Sequence, residues 1–202
     1  MGKRIATAVA YLAAAIFLTW PAARLLGEAI PGSMGTDVWN SVWSLGHWVD
    51  ALTAGQRPWR VDTLNFPHGG GLLVSDPIGA SVALPFYLVF GGATAFTLLV
   101  WFQLTFSGFV MHCFAEDYLT WRRGGGAAGF GPWVSGFSMM MAPLLASHVH
   151  NGATEALAVG PTILSVWLFW RAAVSPSSRR ILWATLGLPF AALAHGYGGV
   201  VA

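Results

Sequence analysis

The uncharged stretch FTLLVWFQLTFSGFVMHCFA (96–115) decides the class of fold. A transmembrane helix needs about 20 mostly apolar residues, and this stretch reaches that length without a charged side chain. Comparable apolar stretches lie at 5–20, 127–147, 152–170 and 181–202. The pattern predicts an all-α membrane protein with about five transmembrane helices.

The composition of the whole chain agrees with this prediction. Of its 202 residues, 55% are hydrophobic and only 9% are charged, whereas a soluble domain carries about 25% charged residues. The net charge is +2 and the basic residues are scattered, so a nucleic-acid partner is not expected. The single cysteine, Cys113, excludes an internal disulfide and a multi-cysteine metal site.

The chain divides into a first span at 1–27, an outer loop at 28–92 and four further spans in 93–202. Within the loop, the apolar block 77–90 contains a proline and is too short to cross a bilayer comfortably. We interpret it as a short interfacial or re-entrant helix. The basic N-terminus also suits a signal peptide, but the apolar run continues past Pro21, which favours an uncleaved span.

The distribution of charge predicts the orientation. With five spans and the N-terminus inside, most basic residues fall on the inner side, as the positive-inside rule requires. These are Lys3, Arg4, Arg122, Arg123, Arg171, Arg179 and Arg180. Six acids fall on the outer side, namely Glu28, Asp37, Asp50, Asp62, Asp76 and Glu155.

The segment GTDVWNSVWSLGHWVD (35–50) predicts an amphipathic helix at 37–54 that lies along the outer membrane surface. Its polar residues recur at helical spacing and share one face. They are Asp37, Asn40, Ser41, Ser44 and His47. The apolar stripe consists of Val38, Val42, Leu45, Val49 and Leu52. Three tryptophans flank these faces, as is typical of the headgroup level of a bilayer.

Two interpretations of Asp37 stay open at this stage. At the start of a helix, its carboxylate can accept backbone N–H bonds as an N-cap. Alternatively, it lines a site on the outer surface. The aspartate of SDP (75–77) also stands in a capping position, at the start of the short helix.

Further polar groups are expected at the same membrane level. The third span ends in SHVHNGATEA (147–156) and the last span in AHGYG (194–198). Ionisable groups near the ends of spans face a wet cavity or a partner, so they mark a candidate site. These residues are His148, His150, Asn151, Glu155 and His195. Glu155 has an alternative role in stabilising the start of its own helix.

Metal binding is disfavoured by spacing, because His148 and His150 are two residues apart and point in different directions on a helix. No metal ligand is assigned, although a divalent metal stays possible. His112 lies within a span and is interpreted as a hydrogen-bond partner between helices.

Five short features follow one another along the chain: the basic N-terminus, GTDVWN, FPHGGGLL, the Arg-Arg-Gly turn and the Ser-His end of a span. In this order they resemble the N-terminal module of bacterial GT-C membrane glycosyltransferases. The resemblance implies an integral, multi-pass protein of the bacterial inner membrane with a cytoplasmic N-terminus. It implies inverting transfer of a sugar from a lipid-linked donor, a polyprenyl phosphate, to an acceptor on the outer face. Membrane lipids are then further partners, and the oligomeric state is not predicted.

The resemblance also implies residue roles. By position, Asp37 is the general base or a metal-binding acid, and Glu155 is the nearest match to a second acid. The donor phosphate is assigned to Arg57, Arg60 or His68. We expect His148, His150, Asn151 and His195 to contact substrate as well.

The chain departs from the family in two respects. It has one early aspartate and not an adjacent acidic pair, which puts metal dependence in doubt. Family members usually run to several hundred residues, so the C-terminal part of the family is expected to be missing. The alternative function is a non-enzymatic polytopic membrane protein, a transporter fragment or an assembly partner.

Overall fold

The computed structural model describes residues 2–71 and 76–194, and these are mostly helical, which confirms the predicted all-α class. The helices are α1 (Gly2–Leu18), α2 (Val38–Thr53), α3 (Pro77–Phe90), α4 (Gly92–Arg122), α5 (Gly131–Met140), α6 (Pro143–Asn151), α7 (Thr154–Leu157), α8 (Val159–Val174) and α9 (Ser178–Ala194). Two short antiparallel strands, β1 (Arg60–Val61) and β2 (Gly70–Gly71), pair between α2 and α3.

The long helix α4 is the centre of the bundle. It packs against α1, α3, α5 and α8, while α9 packs mainly against α8. The α4 residues Phe96, Leu99, Val100 and Leu104 are buried, together with Tyr11 of α1. A stretch that is apolar on all sides forms such a core helix because every face finds an apolar neighbour.

Close contact between α4 and α5 depends on small residues. A side chain at Gly108 would meet Met140, and one at Gly136 would lie 2.7 Å from the Gly108 carbonyl oxygen. Small residues let helix backbones approach in this way. Beside them, the Tyr11 hydroxyl and His112 Nδ1 are 3.1 Å apart, so His112 bridges two helices as expected.

Two predicted spans differ from the observed helices. The first helix ends at Leu18 and does not continue to residue 27, because Pro21 cannot donate a helical hydrogen bond and disfavours helix at the preceding residue. The predicted third span, 127–147, is divided at Met141 into α5 and α6, and α6 begins with Pro143.

Two helical stretches are long and apolar enough to cross a membrane, Gly92–Arg122 and Thr154–Val174. The second comprises α7 and α8. The helix α3 occupies the predicted range 77–90 and is apolar but shorter.

Charged residues collect at two ends of the bundle. Lys3 Nζ lies 3.0 Å from Glu116 Oε1, and Arg171 Nε lies 3.6 Å from Asp117 Oδ2, so the start of α1 and the ends of α4 and α8 meet. We call this the basic end, and its charged residues are Lys3, Arg4, Glu116, Asp117, Arg122, Arg123, Arg171, Arg179 and Arg180.

The other end contains the start of α4 and the connection between α1 and α3. There, Trp101 Nε1 donates to Thr19 Oγ1 at 2.8 Å and Gln103 Nε2 donates to Asp76 Oδ2 at 2.6 Å. We call this the acidic end, and its charged residues are Arg24, Glu28, Asp37, Asp50, Arg57, Arg60, Asp62, Asp76 and Glu155.

Candidate functional site

The acidic end brings the first loop and the end of α6 into contact. The Ser33 backbone N–H donates to the His150 carbonyl oxygen at 2.8 Å, and the Ser33 hydroxyl lies 2.9 Å from His150 Nε2. Thr36 Oγ1 donates to the Ser33 carbonyl at 2.6 Å and holds the turn that precedes Asp37. Two segments that are more than 100 residues apart in sequence are thus joined beside the start of α2.

Gly152 makes this junction possible. It ends α6 in a left-handed conformation, with φ of 70°, that glycine adopts without strain. A Cβ atom at this position would lie 2.5 Å from Val38 Cβ and 2.6 Å from Val38 Cα. The chain therefore needs glycine here both for the turn and for the close approach to the first residue of α2.

Asp37 stands directly before α2, but its side chain makes no capping hydrogen bond. The side chain is exposed. The capping interpretation of Asp37 is therefore wrong, because the carboxylate is not used by the helix that it precedes. It is left available to other groups.

Asp37, Asp76 and Glu155 converge. The carboxylate of Glu155 lies within electrostatic range of Asp37, of Asp76 and of the His148 ring. Among the described residues, the acids that form ion pairs within 4.0 Å are Asp62, Glu116 and Asp117. The three converging carboxylates thus form no ion pair within 4.0 Å among the described residues.

Asp76 was predicted only as a helix cap, and it does cap α3, because its Oδ1 accepts the Gly79 N–H at 2.6 Å. It is also one of the most deeply buried charged groups, with 7% of its surface exposed. Burial, together with the nearby Glu155 charge, raises the pKa of Asp76 from its ordinary value of 3.8 to about 7, although the bonds from Gly79 and Gln103 oppose the shift.

The sequence contained one signal that Asp76 is buried against a polar partner. Gln103 is an amide within the uncharged stretch 96–115, and a polar group in such a place requires a partner. Gln103 is 4% exposed and binds Asp76 through Nε2, while its Oε1 has no hydrogen-bond partner among the described residues.

The serines of α2 are buried, whereas Asp37 and Asn40 of the same predicted polar face are exposed. Ser41 and Ser44 are buried and line a space of about 10 Å³ together with Trp48 and Asp76. Trp39 and Trp43 are the exposed tryptophans of the helix. The serines are buried because α2 packs across α3 and α4, and a small hydroxyl fits beside the Asp76 carboxyl.

A larger cavity of about 240 Å³ lies on the other side of Asp76, between α3, α4, α8 and α9. Its lining is apolar except for Asp76 and Gln103, and includes Ile78, Phe102, Phe106, Pro161 and Phe190. An engineered cavity of about 150 Å³ already accommodates benzene. The space is therefore large enough for part of an apolar ligand.

The basic residues predicted to bind phosphate follow the C-terminus of α2. The Pro58 carbonyl oxygen lies 3.1 Å from His47 Nε2, so the segment that contains Arg57 and Arg60 turns back along that helix. Arg60 Nε pairs with Asp62 Oδ1 at 2.9 Å, and His68 is exposed in the same region. Their role in binding phosphate stays a prediction.

The other predicted residues lie near the junction. His148 is half-buried, and its Nδ1 has no hydrogen-bond partner among the described residues. His150 binds Ser33, and Asn151 is the last residue of α6. His195 lies outside the described residues. Within residues 2–71 and 76–194, no group of three or more His, Cys, Asp or Glu side chains is placed to hold a metal ion.

Comparison of the chain with protein-family models, with curated proteins and with solved structures finds no match. A functional conclusion therefore depends on the site itself.

Proposed function

We propose that this chain is a five-span protein of a bacterial inner membrane that transfers a sugar from a polyprenyl-phosphate donor to an acceptor at the acidic end. The convergence of Asp37 and Glu155, which come from distant parts of the sequence and form no ion pair within 4.0 Å among the described residues, is the observation that carries the proposal. The resemblance to GT-C enzymes supplies the reaction class.

In the proposed orientation, the basic end is cytoplasmic and the acidic end is outside. Seven of the ten basic residues lie at the basic end, with only Glu116 and Asp117 as acids. The positive-inside rule favours this orientation. Besides the two helices of sufficient length, α1, the pair α5–α6 and α9 would complete the five spans.

Cysteine labelling tests this orientation. In a Cys113→Ala background, Asp37→Cys and Glu155→Cys should react with a membrane-impermeant maleimide from outside intact cells. Arg122→Cys should react only after the membrane is permeabilised. Labelling of positions 37 and 155 from opposite sides would overturn the topology and, with it, the proposed site.

The reaction requires a base and a leaving group. Asp37 accepts the proton of the acceptor hydroxyl while that oxygen attacks the anomeric carbon. The bond from this carbon to the phosphate oxygen breaks, and polyprenyl phosphate leaves with the electron pair, so the configuration is inverted once. A positioned general base contributes about 10²–10⁴ in rate.

The remaining groups have positioning roles. Glu155 and His148 lie close enough to bind sugar or acceptor hydroxyls beside Asp37. The apolar cavity next to Asp76 suits part of the prenyl chain, and Asp76 with Gln103 would meet the polar end of the donor there. Arg57, Arg60 or His68 would bind the donor phosphate, as the resemblance implies.

The function is tested by incubating the purified full chain, in lipid nanodiscs, with radiolabelled polyprenyl-phosphate sugars and extracted envelope acceptors. Asp37→Asn should reduce transfer by at least about 10²-fold. Asp50→Asn, an equal change at an exposed aspartate of the same helix, should leave transfer unchanged. Equal activity of Asp37→Asn and wild type would refute the role of Asp37, and no transfer by wild type would refute the reaction.

A second candidate, a non-enzymatic transport component, has one supporting observation. The predicted third span is broken between α5 and α6, and discontinuous helices are typical of secondary transporters. Uptake of a labelled sugar into vesicles that contain the full chain, without any covalent product, would favour this function over transfer.

A further inference from the structure

The basic end contains a cleft that the proposed reaction does not use. It lies between the end of α8 and the start of α9 and has a volume of about 470 Å³. Its lining consists of Leu168, Arg171, Ser177, Arg179, Arg180 and Trp183. Half of these residues are arginines, so the cleft is suited to an anion.

The arginines are only partly neutralised within the chain. Arg171 has one acidic neighbour, with 3.6 Å between its Nε and Asp117 Oδ2, and its guanidinium lies 5.4 Å from the centre of the Trp167 ring. Both contacts hold Arg171 in place at the wall of the cleft. Trp167 Nε1 also donates to Asp117 Oδ2 at 3.0 Å, so this carboxylate is shared between two partners.

Arg179 and Arg180 have no acidic partner within 4.0 Å in residues 2–71 and 76–194. Arg180 Nη1 donates to the Ser175 carbonyl oxygen at 2.8 Å, which holds its guanidinium over the turn between α8 and α9. Three positive charges thus border one cleft, and Asp117 pairs with only one of them, Arg171. An arginine fork matches the oxygens of a phosphate group.

The surface next to the cleft is apolar and exposed. Trp183, which lines the cleft, is 50% exposed, and Leu186, three residues later on the same face of α9, is 49% exposed. A tryptophan in such a place is typical of the boundary between membrane and water. A ligand with a phosphate in the cleft and apolar chains along α9 would satisfy both parts of this surface.

We propose that the cleft bordered by Arg171, Arg179 and Arg180 binds the phosphate headgroup of an anionic membrane phospholipid. Basic pockets between helices on the cytoplasmic side of a membrane bind anionic headgroups in this manner. The apolar strip of α9 favours a lipid over a free phosphate ion, because a free ion gains nothing from exposed Trp183 and Leu186. This inference is independent of the transfer reaction at the acidic end.

The test uses the full chain purified in detergent, with native mass spectrometry to count bound lipids. Dioleoyl phosphatidylglycerol should bind more tightly than dioleoyl phosphatidylcholine. The double variant Arg179→Gln/Arg180→Gln should bind phosphatidylglycerol at least about tenfold more weakly, since each basic residue near an anionic surface contributes measurably. If the double variant fails to fold, the single variant Arg179→Gln, which removes no hydrogen bond or ion pair seen in residues 2–71 and 76–194, should still weaken phosphatidylglycerol binding.

The control is Arg122→Gln/Arg123→Gln, which removes the same charge from the other turn of the basic end. It should retain phosphatidylglycerol binding. An equal loss in both double variants would show that only the general positive field attracts lipid, and would overturn the site. Displacement of the bound lipid by millimolar inorganic phosphate would identify the ligand as a soluble anion and would overturn the lipid assignment.

Discussion

The two ends of the bundle treat their carboxylates differently. At the basic end, Glu116 pairs with Lys3 and Asp117 pairs with Arg171. At the acidic end, Asp62 pairs with Arg60, but Asp37, Asp76 and Glu155 lie near one another, and the described residues offer these three no basic partner within 4.0 Å.

This difference separates structural acids from candidate functional ones. An acid that is paired stabilises the folded chain or costs little, whereas carboxylates gathered without cations oppose folding. Such an arrangement is typical of active sites, where charge is held ready for a ligand. Three substitutions sharpen or break the comparison.

The largest effect is expected from Gly152→Ala at the acidic end. The new Cβ atom would overlap Val38 backbone and side-chain atoms, and the residue has a positive φ. Left-handed backbone and overpacking together should lower the free energy of unfolding by about 2–5 kcal/mol. Thermal unfolding in detergent measures this loss.

The matched control is Gly124→Ala at the basic end, where φ is +62° and no atom lies within 4 Å of the new Cβ. Only the backbone cost of about 1–2 kcal/mol should remain. Equal losses in the two variants would mean that the contact between Gly152 and Val38 does not hold the acidic end together.

An intermediate effect is expected from Asp76→Asn. Because the pKa of Asp76 is raised from 3.8 to about 7 in the folded protein, the folded state retains this proton to a higher pH than the unfolded chain. Stability is therefore lost as the pH rises through that window, by at most about 1.4 kcal/mol per unit, and is constant above it.

Asparagine also caps helices, so the variant should keep α3 and remove this pH dependence. Unfolding midpoints at several values between pH 4 and pH 8 test it, since the difference between wild type and variant isolates Asp76 from the histidines. Asp62→Asn, at an exposed acid, should retain the slope of the wild type. Parallel curves for wild type and Asp76→Asn would show that the Asp76 carboxyl is not held protonated.

The smallest effect is expected from Lys3→Gln at the basic end. The side chain of Lys3 is 83% exposed, and exposed ion pairs contribute about 0–1 kcal/mol. The unfolding midpoint should shift little, and less in high salt. A loss comparable to that of Gly152→Ala would mean that the basic end depends on its ion pairs as strongly as the acidic end depends on its packing.

Most of the secondary structure was accessible from the sequence. Apolar stretches such as 96–115 and 152–170 predict helices because their length and lack of charge leave few alternatives, and 77–90 is bounded by proline and glycine. The sequence analysis did not predict the break before Pro143 or the early end of α1. The apolar composition of a stretch is an average over many positions, whereas a proline ends a helix by removing one hydrogen bond at one position.

Less of the candidate site could be predicted from the sequence. The sequence located Asp37 and Glu155 at one level, since both lie at boundaries between apolar and polar segments. It did not predict that Ser41 and Ser44 face inward, because hydroxyl groups suit either water or a buried carboxyl. Nor did it predict the pair of Asp76 and Gln103, which are 27 residues apart.

The sequence by itself determined that this chain is helical and apolar, and it separated basic turns from acidic loops, because length, hydropathy and charge act locally along a chain. Only the tertiary structure decided which acids are paired and which converge, and that three arginines border one cleft. Such contacts depend on distances between segments remote in sequence, and these distances are set by how α4 packs with its neighbours.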